Sequence, residues 1–160
     1  MKIVFLALSA LSFVTLFSCN THEAANNQSQ SPELKEDSLF ASVMVVHDDV
    51  MPKMADLNRI KRNLKKWVET NETHPSVEEV KLAIAAINSA EMGMMDWMKG
   101  ISAHRPETMR KAGEEHSSIL NALNNELQAI EKVRDDMMNS LSRGVELQKS
   151  IGSLDDGSSQ

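Results

Sequence analysis

The sequence predicts an all-α protein, an up-down-up three-helix bundle, with a short fourth helix if the third one breaks. Three observations predict it. From Leu39 onward apolar residues recur at three- and four-residue spacing, the period of one helix face. No segment alternates apolar and polar side chains as a half-buried strand does. The glycines and prolines, six and four in all, fall mostly where the helical stretches should end.

The first element is a leader. "MKIVFLALSALSFVTLFSC" carries one positive charge at Lys2, an apolar run from Ile3 to Phe17, then Ser18 and Cys19. This is the three-part pattern of a secretory signal, residues 1–18. The apolar run is too short to be a lasting membrane span. Cys19 is the single cysteine, so an internal disulfide is excluded. "LFSC" resembles a bacterial lipobox, with Leu16 three before the cysteine and Ser18 just before it; Phe17 is bulkier than the residue usual there. The resemblance implies cleavage before Cys19 and lipidation of its sulfur with palmitate-like acyl chains. Such chains contribute about 0.8 kcal/mol per buried methylene, enough together for stable anchoring. The implied location is the cell envelope, at the outer membrane and facing the periplasm.

Loss of Lys2 with the leader leaves sixteen basic residues against twenty-three acidic ones, a net charge of −7. That balance argues against nucleic acid as a partner, since its binding needs a basic stripe. It also argues against a second, electrostatic attachment to anionic lipid. Residues 19–37 then read as a lipidated cysteine and a flexible polar tether. Its reach is roughly 20–25 Å. His22 belongs to this tether as a solvated residue.

The bundle is expected over residues 38–151. Helix 1 runs from about 38 to 70, with Ser38 as N-cap. Helix 2 starts at Ser76, where Ser76 and Glu79 have capping-box spacing, and Pro75 closes the preceding segment. It ends at Lys99, with Gly100 placed as a left-handed cap. Helix 3 begins near Pro106 and runs to about 148, with Gly113 and Gly144 as points where it could bend or stop. Short connections make consecutive helices antiparallel. Helix 3 would then be roughly 60 Å long against roughly 35 Å for helix 2. Met137, Met138, Leu141 and Val145 would overhang, to be covered by a fold-back or by a second copy. Residues 152–160 read as a disordered tail.

Helix 1 carries two stripes. Leu39, Val43, Val46, Val50, Leu57, Ile60, Leu64 and Val68 form an ordinary core face. Phe40, Met44, His47, Met51 and Met54 form a second one, roughly a quarter-turn away. Helix 2 brings "EMGMMDWM", residues 91–98, and folding it back sets Met95 and Met92 level with Met51 and Met54. Helix 3 folded back brings Met109 and His116 to the same end. Eight of the ten methionines of the processed chain thus gather there with His47, His116 and Trp97, while the far end uses Leu, Ile, Val and Trp67. Pro52 lies inside the cluster and denies the Asp48 carbonyl its donor, at a cost on the order of 3 kcal/mol.

Thioether and imidazole suit soft ions, Cu(I) above all. His47 and Met51, four apart, share a face, as do Met51 and Met54, three apart; Met95 and Met98 repeat that spacing. The candidate metal ligands are therefore His47, Met51, Met54, Met95, Met98, Met44 and His116, with Trp97, Glu91 and Pro52 around them; the Trp97 ring could cover a bound cation. Two other readings fit the same residues. Methionine fills irregular gaps in a core, and His47 could be a packed residue bonded to Glu91 or an aspartate. A methionine-rich groove also suits a partner helix or self-association, as in a tethered adaptor. Asp48 and Asp49, next to His47, should point to other faces. No histidine has a glutamate three before it, which argues against a carboxylate-bridged di-iron bundle; no Cys-x-x-Cys-His exists for attached haem; and non-covalent haem would find few aromatics. No nucleophile–base pattern or phosphate loop is present, so no enzymatic activity is expected.

"HDDVMPKM" at 47–54 followed by "MMDWM" at 94–98 resembles a group of small bacterial lipoproteins often labelled viral A-type inclusion proteins. The group's pattern has a glutamate where this chain has Asp49. His47, Val50, Met51, Pro52, Lys53 and Met54 match it, as do Met94, Met95, Asp96, Trp97 and Met98. The resemblance implies a lipid-anchored helical protein and carries no activity.

Overall fold

A computed structural model describes residues 31–157, with side chains through Gly152. The leader, Cys19 and most of the proposed tether lie outside the described residues. The described chain is all-α, in the order α1 (Pro32–Val50), α2 (Lys53–Thr70), α3 (Val77–Ile101), a 3₁₀ turn at Ser102–His104, α4 (Pro106–Lys111) and α5 (His116–Gly157). α1 and α2 form one broken rod running up, α3 runs down, and α5 runs up beside both; α5 packs along α1, α2 and α3.

α1 begins six residues earlier than the sequence reading placed it. Ser31 Oγ accepts from the Leu34 amide at 3.3 Å, Pro32 occupies the first turn, and Glu33 follows it. These are strong start signals, and residues 32–37 therefore belong to the helix rather than to a tether. At Pro52 the rod breaks without reversing. Met51 and Pro52 keep helical torsions (φ −55°, ψ −38° and φ −59°, ψ −25°). The Met54 and Ala55 amides take tighter bonds three residues back, at 3.1 and 3.3 Å. Proline supplies no donor to Asp48, and the chain tightens around the gap.

The turn between α2 and α3 is held by Asn71, whose Nδ2 donates to the Trp67 carbonyl at 3.0 Å, and by His74, whose Nδ1 accepts from the Ser76 amide at 3.1 Å. Ser76 makes no side-chain cap, so the expected capping box does not form. Gly100 is an ordinary helical residue; among the described residues the left-handed glycine is Gly113, at φ 85°. There the Glu114 amide bonds the Met109 carbonyl (3.1 Å) and the Gly113 amide bonds that of Arg110 (3.0 Å). That pair of bonds is a Schellman cap, and it splits α4 from α5.

The split removes the overhang. α5 starts level with Glu36 of α1 and reaches the α2–α3 half of the bundle farther along. Met137, Leu147 and Ile151 are then buried in the main core, with Leu141 and Val145 packed against it. α5 also continues to Gly157, past the expected end of the bundle at 151. Gly144 does not bend it. A Cβ there would sit 2.6 Å from Ile60 Cγ2 and 3.3 Å from Ile87 Cδ1, so the missing side chain lets α5 press onto α2 and α3. Val43, Val50, Leu57, Ile60, Leu64, Val80, Ile87, Met94, Ile130 and Met137 form the centre of the core. No described helix is long and apolar enough to cross a membrane.

Candidate functional site

Two cross-helix contacts set the register of the broken rod against α3. The His47 ring stacks on Trp97 with centroids 5.5 Å apart and planes 29° apart. Lys61 Nζ pairs with Glu91 Oε2 farther along the same seam. The "HDDVMPKM" and "MMDWM" turns therefore adjoin. Met44, Met51, Met54 and Met98 are half-buried and pack against the bundle core, and Met94 is sealed within it.

His47 is oriented by its neighbour. Its side chain is 16 % exposed, and its Nδ1 lies 2.8 Å from Asp48 Oδ1. The sequence reading sent Asp48 to another face; the carboxylate instead reaches back to the adjacent ring. A carboxylate only accepts, so Nδ1 donates in this contact, and in the neutral ring Nε2 then keeps its lone pair. Asp48 is mostly exposed, so the pair adds little stability. Its consequence is tautomer and orientation, the role carboxylates play behind metal-bound histidines.

The remaining candidates separate. Met95 and Met92 are 46 % and 60 % exposed, on the outer side of α3 away from the core. Glu91 pairs with Lys61 rather than His47, and its Oε1 is buried without a partner, as is Trp97 Nε1. Pro52 is exposed at the break. Met109 is half-buried on α4. His116 is not in the cluster. Its Nδ1 lies 2.7 Å from Glu36 Oε1, and Glu36 is eleven residues before His47, roughly 16 Å along the axis. The left-handed turn at Gly113 is the cause, because it inserts α4 before the chain returns.

The Glu36 cluster is a feature the sequence reading missed. Glu36 is 2 % exposed, accepts from Arg110 Nη1 and contacts His116, while Arg110 Nη2 also reaches Asp37 at 3.1 Å. Hydrogen bonding to Glu36, then to Asp37, raises the Arg110 guanidinium above its ordinary range. At the start of α1 the Glu33 carboxyl is held below its ordinary value by its own backbone amide and then by Ser31. The signal for all of this was Ser31-Pro32-Glu33, which marks residue 36 as helical.

No group of three or more His, Cys, Asp or Glu able to hold a metal exists among the described residues. The ligand set on offer is one imidazole with thioethers, which suits a soft monovalent ion and not a hard divalent one. No protein-family model, curated protein or solved structure matches the chain. Fold and seam together define its class: an all-α bundle with a histidine–methionine seam between its first and second long helical rods.

Proposed function

We propose that the chain is a lipid-anchored envelope protein whose α1–α3 seam binds Cu(I). His47 Nε2 and the thioethers of Met51 and Met98 are the ligands, with Met44 and Met54 flanking them. The observation that carries this reading is the setting of His47: nearly enclosed, stacked on Trp97, with Nδ1 engaged by Asp48 so that Nε2 is the ring nitrogen left for a ligand. Among the described residues the ring has no other hydrogen-bond partner. Met51, one helical turn from His47 in sequence, and Met98, next to Trp97 in sequence, are half-buried and so remain reachable by an ion, unlike the sealed Met94. Met95 and His116, which face elsewhere, are left out of the site. The anchor rests on the lipobox-like "LFSC" ending at Cys19.

The test is anaerobic titration of the full chain with Cu(I) against a competing chelator. The reading expects one ion per chain, bound more tightly than micromolar. His47→Ala should weaken binding by about tenfold or more, and Asp48→Asn, which loses the orienting carboxylate, by about tenfold. Binding no tighter than micromolar, or equal in wild type and in His47→Ala/Met51→Leu, overturns it.

A further inference from the structure

α3 is apolar on more sides than the bundle covers. The face opposite the core runs through Glu78, Lys81, Ala85, Ser89, Met92, Asp96 and Lys99, with Leu82 and Met95 at its edges. Among the described residues of α3, none on this face between Lys81 and Asp96 is charged. That gap is four turns, roughly 22 Å. Leu82 is 68 % exposed within it, alongside exposed Met92 and Met95. A chain with 25 % charged residues does not leave such a stretch bare on a solvated helix without reason.

The charges at its two ends say what covers it. Each end holds an acid followed three residues later by a lysine: Glu78 with Lys81 (2.7 Å) and Asp96 with Lys99 (2.8 Å). All four are exposed, so these pairs hold little energy and are free to exchange partners. Lay a second α3 antiparallel on the first, with a two-fold axis beside Asn88 and Ser89. Lys81 then meets Asp96 of the other copy, and Glu78 meets its Lys99. Met92 falls opposite the small Ala85, while Leu82 and Met95 rim opposite edges of the seam. Every contact occurs twice, as an isologous interface requires. A parallel arrangement would set Glu78 against Glu78 and Lys81 against Lys81.

We infer that the chain forms a two-fold dimer through the outer face of α3, with Lys81–Asp96 and Glu78–Lys99 pairs between copies. This is independent of the Cu(I) site, which uses the opposite side of the helix. The test is sedimentation equilibrium of the full chain in density-matched detergent, with far-UV circular dichroism as the check on folding. Wild type is expected to be a dimer. Lys81→Glu and Asp96→Lys should each weaken it by about tenfold or more, since each sets like charges together twice. The double variant Lys81→Glu/Asp96→Lys restores opposite charges across the axis and should recover the wild-type affinity to within about threefold. Met92→Glu should give monomers. A monomeric wild type, a dimer indifferent to the swaps, or a double variant no better than the singles overturns the inference.

Discussion

His47 and Trp97, fifty residues apart in sequence, stack with ring centroids 5.5 Å apart. The contact joins the last turn of α1 to the last turns of α3 and fixes where the two methionine motifs meet. Trp97 is largely buried, and truncation to alanine should cost about 3–5 kcal/mol. Trp97→Phe keeps a ring for His47 and should cost less. The His47 ring resonances in the NMR spectrum should move strongly in Trp97→Ala and only slightly in Trp97→Phe; equal shifts would mean the stack does not position the histidine.

Gly144 makes a separate and sharper prediction. Alanine favours helix over glycine by about 1 kcal/mol, so a solvated helical glycine gains from the change. Gly152, with open space around its Cβ position, should show that gain. Gly144→Ala should instead destabilise by about 1–3 kcal/mol, because its methyl meets Ile60 and Ile87. Urea unfolding of the two variants side by side checks the opposite signs.

Glu36→Gln tests the polar cluster at the tether end. The change removes the charge facing Arg110 and His116 while keeping the side-chain shape. Arg110 is 31 % exposed, so water compensates part of the loss, and a cost of about 2–3 kcal/mol is expected. Amide exchange should accelerate over residues 32–40 and 106–116 more than over α2 and α3. Uniform acceleration would show that the cluster does not act as a local clamp.

Pro52→Ala should raise the midpoint of thermal unfolding, because the Asp48 carbonyl regains a donor and the exposed proline has no packing to lose. The same change should weaken Cu(I) binding, because a healed helix alters the spacing of the His47 and Met54 turns. A variant that is more stable and binds Cu(I) equally well would show that the break is unrelated to the site.

Much of the fold was legible because the apolar spacing is regular. Val43, Val50, Leu57, Ile60 and Leu64 lie on one stripe and are all buried. Proline's missing donor marks an irregularity at Pro52 within the expected 38–70 helix, and the structure makes it a break between α1 and α2. What was not legible depended on distant partners. Glu36 looks like a tether residue until Arg110 and His116 arrive from the other side of the fold. Gly113 and Gly144 looked equivalent as helix interruptions. One adopts a left-handed turn and the other permits close packing, and only the facing side chains Ile60 and Ile87 distinguish them. The turn at Gly113 sets α4 before α5, and α5 then starts with His116 beside Glu36 and buries Met137 in the main core. Of the candidate ligands, Met44, His47, Met51 and Met54 are half-buried, while Met95 turns outward because α3 points Met94 and Trp97 to the core instead.

The central claim is that one imidazole and a few particular thioethers form a site on the α1–α3 seam. Methionine-methyl NMR of the full chain during anaerobic Cu(I) addition tests it most directly, since each thioether reports separately. The account predicts that the methyl signals of Met51 and Met98 shift together with the His47 ring and saturate at one ion per chain, while those of Met92, Met95 and Met138 stay in place. Shifts confined to the exposed methionines, or no shift at the His47 ring, would contradict it.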